Sequence, residues 1–186
     1  KLVVLSGSMD ERPEEYGIAH FTEHMCFHGS REMDETAMLG LFRRLGAEYG
    51  SDVNAFTTFD HTAYALEFRE NTPDLLADGL RWYRGIAESV LFNQDDIDRE
   101  RRVIFAEKRS RDDLSGRQMQ ASFPVLFRGL KFADHATIGL DETLRRQQRA
   151  HFLEFYRRCY RPDLMVFVAA GDFDVAALEP MVRAAF

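Results

Sequence analysis

The hydrophobic period changes three times along this chain, and few architectures accept that order of elements. Leu2-Val3-Val4-Leu5 forms a short apolar strand within residues 1–7, followed by a polar loop at 8–15 that contains Pro13. From Gly17 the pattern turns helical. Ile18, Phe21 and Met25 fall at i, i+3 and i+7, one face of a helix, with Gly29 placed to stop it. A second helix is predicted over 36–45, closed by Gly46. Residues 47–58, punctuated by Gly and Asn, and the strand-like run 61–68 then read as an antiparallel pair joined near Phe59-Asp60. The helical period returns at Pro73, with Leu75, Leu76, Leu80, Tyr83 and Ile86 as the apolar stripe of a helix over 73–89. A long charged helix over 93–111 follows, with Ile97, Val103 and Ile104 as its buried positions. Beyond it come a helix at 117–128, a Gly-containing loop at 129–140 and a helix over 143–158. Residues 164–170 read as a strand buried on both faces and ended by Gly171, and 174–186 as a final helix. With no repeat and no low-complexity linker, this is one α+β unit, a mainly antiparallel sheet with helices packed on one face.

The chain begins inside a strand at Lys1 and stops in an uncapped helix, so residues 1–186 are expected to be a single domain taken from a longer polypeptide. Its 24 basic and 31 acidic side chains leave a formal charge of −7, which offers no electrostatic footprint for nucleic acid. No apolar run approaches the roughly 20 residues that a membrane-spanning helix needs. Cys26 and Cys159 are the only cysteines, too few for a disulfide framework or a four-cysteine zinc site.

Chemistry concentrates in His20-Phe21-Thr22-Glu23-His24. On a helix, residues i and i+4 differ by ~40° and rise ~6 Å, so both imidazoles project from one side, as two ligands of one zinc ion must. Glu23 lies beside His24, able to reach a water at the metal without ligating it. The order H-x-x-E-H reverses H-E-x-x-H and matches the inverzincin motif. Two histidines and a glutamate can also share a solvated helix face by chance, so the motif alone leaves both readings open.

A tetrahedral catalytic site takes three protein ligands and keeps one position for water. His28 extends the ladder, but it lies ~12 Å from His20 along the axis, too far for bonds of ~2 Å to one ion, and reads as a helix-end histidine. Cys26 points elsewhere and reads as a core thiol. Glu100 and Glu107, seven residues apart on the charged helix, share a face but lie ~10 Å apart along it, so only one can reach the ion. Val103, Ile104, Phe105 and Ala106 precede Glu107, and a carboxylate in apolar surroundings needs a partner. Spacing leans towards Glu107 without excluding a plain surface charge run.

The run Gly17-Ile18-Ala19-His20-Phe21-Thr22-Glu23-His24-Met25, with Phe27 and Gly29-Ser30, resembles the start of the insulinase/pitrilysin family of zinc metallopeptidases, which includes mitochondrial processing peptidase and many bacterial members. The likeness continues through Leu45-Gly46-Ala47, Asn54-Ala55-Phe56-Thr57-Thr58 and His61-Thr62-Ala63-Tyr64. It extends to Glu100-Arg101-Arg102-Val103-Ile104-Phe105-Ala106-Glu107, Phe155-Tyr156, Tyr160-Arg161-Pro162 and Gly171-Asp172-Phe173. The separation of 83 positions between His24 and Glu107 exceeds the family's usual spacing, with the extra residues mainly at 49–53, in a form common among bacterial relatives.

By position, the resemblance implies zinc ligands at His20, His24 and Glu107, a general base at Glu23 and a supporting glutamate at Glu100. It implies an endopeptidase that cleaves extended peptides through a zinc-bound water, with Zn2+ as cofactor. An edge strand including Asn54, Ala55, Phe56 and Thr57 would accept the peptide backbone by strand addition, although Asn54 also suits an ordinary strand end. The fold implied is that of a mitochondrial-processing-peptidase-like half, the amino-terminal catalytic domain. A second, non-catalytic half of the same chain or a partner subunit would complete the chamber, leaving this piece weakly active alone. Large bacterial relatives point to a periplasmic or membrane-associated setting. The alternatives are a non-catalytic structural or binding paralogue of the same fold and an unrelated module with a structural zinc.

Overall fold

The computed structural model describes residues 1–48 and 50–186, so Tyr49, the first residue of the 49–53 insertion, lies outside the described residues. Four strands form one antiparallel sheet: β1 (Leu2–Val4), β2 (Val53–Thr57), β3 (Thr62–Leu66) and β4 (Met165–Phe167), in the order β2-β3-β1-β4. Leu2 pairs with Tyr64 on one side and Phe167 on the other, and Ala55 pairs with Tyr64, which sets the register. Directly paired residues share a face, so Leu2, Val4, Tyr64 and Leu66 point together into the core, all under a tenth exposed. Phe56 and Val166, on the opposite face, are exposed.

The described residues also form eight α-helices, besides short 3-10 turns: α1 (Ile18–Met25), α2 (Glu35–Leu45), α3 (Pro73–Glu88), α4 (Gln94–Ser110), α5 (Leu114–Leu126), α6 (Asp141–Arg146), α7 (Arg149–Cys159) and α8 (Val175–Ala185). The helix α1 packs against β2, β3, α4 and α7. On its apolar face, Phe21 stands edge-on to Phe152 of α7 at 4.8 Å. Gly17 enters α1 at φ +92° and has no side chain to cap it. The buried Glu11 carboxylate does so instead, accepting the backbone N–H groups of Gly17 and Ala19 at 2.9 Å each. The helix ends at Met25, and the chain turns at Gly29, whose φ of +92° only glycine adopts without strain. Cys26 and Cys159 are both free and buried, Cys26 accepting a hydrogen bond from Tyr64 Oη at 3.3 Å.

Three sequence expectations change. The helix expected over 143–158 is two, α6 and α7, because Gln147 takes an extended ψ of 126°. Arg101 of α4 stabilises the break by donating to the freed carbonyls of Leu144 at 2.7 Å and Gln147 at 2.6 Å. The strand expected over 164–170 is only Met165–Phe167 and lies at the sheet edge. It is not buried on both faces, since helices cover one face and Val166 is left 44% exposed. Val103, expected inside, is exposed, whereas Ile97 and Ile104 are fully buried. No helix among the described residues is long and apolar enough to cross a membrane.

Candidate metal centre

Polar residues are seldom fully buried unless paired, and α1 carries three of them inside: His20, Thr22 and Glu23, each at most 6% exposed. Thr22 lies on the opposite side of α1 from His20, whereas His20 and His24 share one side. That side faces α4, and there the two imidazoles meet a carboxylate. His20 Nε2 and His24 Nε2 are 3.3 Å apart, and Glu107 Oε2 lies 3.6 Å from the first and 3.5 Å from the second. These are too long for good hydrogen bonds. They are close to the ~3.3 Å that separates ligand atoms bound tetrahedrally at ~2.0–2.1 Å to one zinc ion. Glu107 Oε2 is shielded from solvent and has no hydrogen-bond partner. An unpartnered carboxylate oxygen aimed at two imidazole nitrogens fits a cation between them, and this is the one cluster of metal-ligating groups among the described residues.

The other two carboxylates have separate tasks. Glu100, two turns before Glu107 on the same face of α4, accepts from His24 Nδ1 at 2.7 Å through Oε1. A carboxylate only accepts, so His24 carries its proton on Nδ1 and presents a bare Nε2 towards His20 and Glu107 when neutral. The second Glu100 oxygen, Oε2, accepts from His28 Nε2 at 2.9 Å. Glu23 stays out of the triangle, and its Oε2 accepts from Thr57 Oγ1 at 2.6 Å. Arg111, one turn beyond Glu107, donates to Glu107 Oε1, so only Oε2 of that carboxylate is left for the cluster. His20 has no such support: its Nδ1 is buried without a partner, and its ring stands edge-on to His24 at 4.6 Å.

The fields of these groups separate their protonation. Burial pushes the His20 imidazole down to about 4, helped by the neighbouring His24. Burial also penalises charge on His24, but Glu100 and Glu107 outweigh it and lift this ring to about 9. The same two imidazoles hold Glu107 down to about 2, His24 being the largest influence. Glu100 falls to about 2 because His24 and His28 outweigh its burial. Glu23 moves the other way, raised by burial against the pull of the Thr57 hydroxyl.

The edge-strand residues lie beside the cluster, not in it. Asn54 and Phe56 are exposed on the outer sheet face, Ala55 is partly buried beside Tyr64, and among the described residues β2 is an edge strand paired with β3 alone. Thr57 joins this strand to Glu23. Its place in the edge strand is legible in the sequence, but nothing there ties it to Glu23. His28 stands outside the cluster, consistent with its axial distance from His20, and bonds Glu100, a contact that no sequence spacing encodes. Arg111 gave no signal beyond its i+4 spacing from Glu107.

A family model described as Insulinase (Peptidase family M16) matches residues 1–120, well over half of the chain. The chain belongs to the insulinase family, M16. A second model, Peptidase M16 inactive domain, matches residues 147–186, which carry none of the metal-facing residues. This M16 chain is 33% identical over 177 residues to the probable zinc protease PqqL of Escherichia coli, covering 93% of the chain and 19% of that protein. It is 28% identical to a zinc protease PQQL-like of Arabidopsis thaliana, covering all of this chain and 20% of that protein. The M16 chain therefore spans about a fifth of the length of these relatives. The crystal structure of the first half of the periplasmic protease PqqL from Escherichia coli superposes with a TM-score of 0.93 at 30% identity, over 99% of this chain and 39% of that one. Pitrilysin superposes with a TM-score of 0.76 at 24% identity, over 99% of this chain and 19% of that one, a likeness of fold.

Proposed function

We propose that residues 1–186 are the single catalytic domain of a two-half zinc endopeptidase, with His20, His24 and Glu107 holding the ion and Glu23 as general base. One observation carries this reading. Two imidazole nitrogens and an unpartnered carboxylate oxygen form a triangle with sides of 3.3, 3.5 and 3.6 Å, beside a second, buried carboxylate. Relatives named zinc proteases support zinc as the cofactor. When bound there, zinc supplies a Lewis acid that polarises the scissile carbonyl and acidifies water.

The chain's own residues do the rest. Thr57 occupies Glu23 Oε2, which leaves Oε1 to take a proton from the attacking water. The water oxygen bonds to the carbonyl carbon, the C–N bond breaks, and Glu23 returns the proton to the leaving amine. Burial raises the Glu23 carboxyl, which strengthens its anion as a base and keeps its acid form available for the return. Glu100 fixes His24 in one tautomer. The open edge of β2, with Asn54, Ala55 and Phe56, accepts an extended peptide by backbone hydrogen bonds, which gives little sequence preference. The absent second half supplies the facing wall, so the isolated domain is a weak peptidase. The likeness to a periplasmic relative favours a periplasmic setting.

Retention of Glu23 beside the triangle weighs against a non-catalytic paralogue, which has no use for a base. The deciding experiment is Glu23→Gln in the full-length enzyme. We expect zinc content to stay unchanged and peptide hydrolysis to fall by at least about 100-fold. Loss of zinc would misassign Glu23, and undiminished hydrolysis would remove it from the chemistry.

A further inference from the structure

Glu100 is held at both ends. His24 Nδ1 donates to Oε1 at 2.7 Å, and His28 Nε2 donates to Oε2 at 2.9 Å. These are the two hydrogen bonds made by this carboxylate among the described residues. His28 sits on the turn that follows α1, its backbone N–H donating to Met25 O at 3.1 Å, just before the positive-φ Gly29. The His28 and Glu100 side chains are each 13% exposed, so water competes little for the bond between them.

We propose that His28 is a positioning residue of the metal centre: it fixes the Glu100 carboxylate in the plane from which Oε1 orients His24. A helix-end histidine would turn towards the last carbonyls of its own helix. His28 instead aims Nε2 across to a carboxylate on α4, while its Nδ1 lies 3.9 Å from Glu35 Oε2, beyond hydrogen-bond reach, and has no partner. Glutamate has three rotatable side-chain bonds, and one hydrogen bond to Oε1 leaves the carboxylate free to pivot about it. A second bond, to the other oxygen, removes that freedom. The His24 ring is then held in angle as well as in tautomer, and its Nε2 stays directed at His20 and Glu107. Without His28, Glu100 Oε2 loses its partner in a largely shielded place and the carboxylate turns to find another. The turn after α1 thereby becomes part of the metal centre although it is too far away to ligate.

This inference rests on His20, His24 and Glu107 being the zinc ligands, and the experiment separates the two. Zinc dissociation constants are measured by chelator competition in the full-length protein, and the visible absorption of the cobalt-substituted site is recorded. The variants are His28→Ala, His28→Gln, Glu100→Gln, the double variant His28→Ala/Glu100→Gln, and His20→Ala. We expect His28→Ala to weaken zinc binding between about 10- and 100-fold and to shift the cobalt bands. His28→Gln, which still offers an N–H to Glu100, recovers most of the affinity. In the Glu100→Gln background, His28→Ala costs nothing further, because it acts through Glu100. Wild-type affinity in His28→Ala, an equal loss in both backgrounds, or no recovery in His28→Gln would overturn the positioning role while leaving the ligands in place. Zinc retained in His20→Ala, or absent from the wild type, would overturn the metal centre and this role with it.

Discussion

His24 uses both ring nitrogens, Nδ1 towards Glu100 and Nε2 towards His20 and Glu107, and this dictates how the centre should respond to pH. In the metal-free protein at pH 7, Glu107 is ionised and His20 neutral, since they titrate at about 2 and about 4. His24, raised to about 9, is protonated. Zinc must displace that proton. We therefore expect the logarithm of the zinc dissociation constant to fall by about one unit per pH unit between pH 5 and 8, levelling off near 9. Calorimetry in buffers of different ionisation enthalpy should show proton release at pH 7, and pH-independent binding across the window would contradict the account. At this scale the sequence was most informative where residues share one helix. The i, i+4 spacing of His20 and His24 and the seven-residue step from Glu100 to Glu107 are properties of single helices. The bonds from Thr57 to Glu23 and from His28 to Glu100 join different elements, and no local pattern encodes them.

The same division holds for whole elements, and two contacts between elements carry predictions. Arg101 donates to the Leu144 and Gln147 carbonyls where α6 gives way to α7, and its own side chain is largely buried. Arg101→Ala leaves two carbonyls without partners and should destabilise the domain by about 2–3 kcal/mol in urea unfolding. Arg101→Lys should recover little, because one ammonium cannot reproduce the two-pronged contact. A loss below about 0.5 kcal/mol would mean that the break is held by other contacts. Glu11 caps α1 from outside, and burial lifts its carboxyl from 4.5 to about 8 despite two backbone donors. The folded state thus holds this proton more tightly than the unfolded state. Its contribution is fully present below about 4.5 and is lost as pH rises through about 8. Relative to the wild type, Glu11→Gln should flatten the decline of unfolding free energy between pH 5 and 8, by on the order of a few kcal/mol. Equal slopes in the two proteins would exclude Glu11 as the source. The helices themselves were legible from apolar spacing, with α2 ending at Gly46 and α3 opening on Pro73 as read. The break at Gln147 was hidden because its partner, Arg101, lies 46 residues away in sequence. Residues 164–170 misled because an apolar run suits a buried central strand and a half-covered edge strand alike, and Met165–Phe167 is the latter.

At the scale of the molecule, residues far apart in sequence converge on one place. The matched inactive-domain segment, 147–186, adds Phe152 and Phe155 to the core that supports α1, although it bears no metal-facing group. His24 and Glu107 are 83 positions apart, and the chain between them carries the β2–β3 hairpin, which brings Thr57 to Glu23, and most of α4, which brings Glu100 and Glu107 to α1. The proposed centre therefore exists only when the sheet, α1 and α4 are assembled. Zinc stoichiometry across a set of purified, folded variants tests this most directly. About one zinc per chain is expected in the wild type, in Glu23→Gln and in Glu100→Gln at saturating metal, and none in His20→Ala, His24→Ala or Glu107→Gln. Zinc retained by Glu107→Gln, or lost from Glu23→Gln, would contradict it.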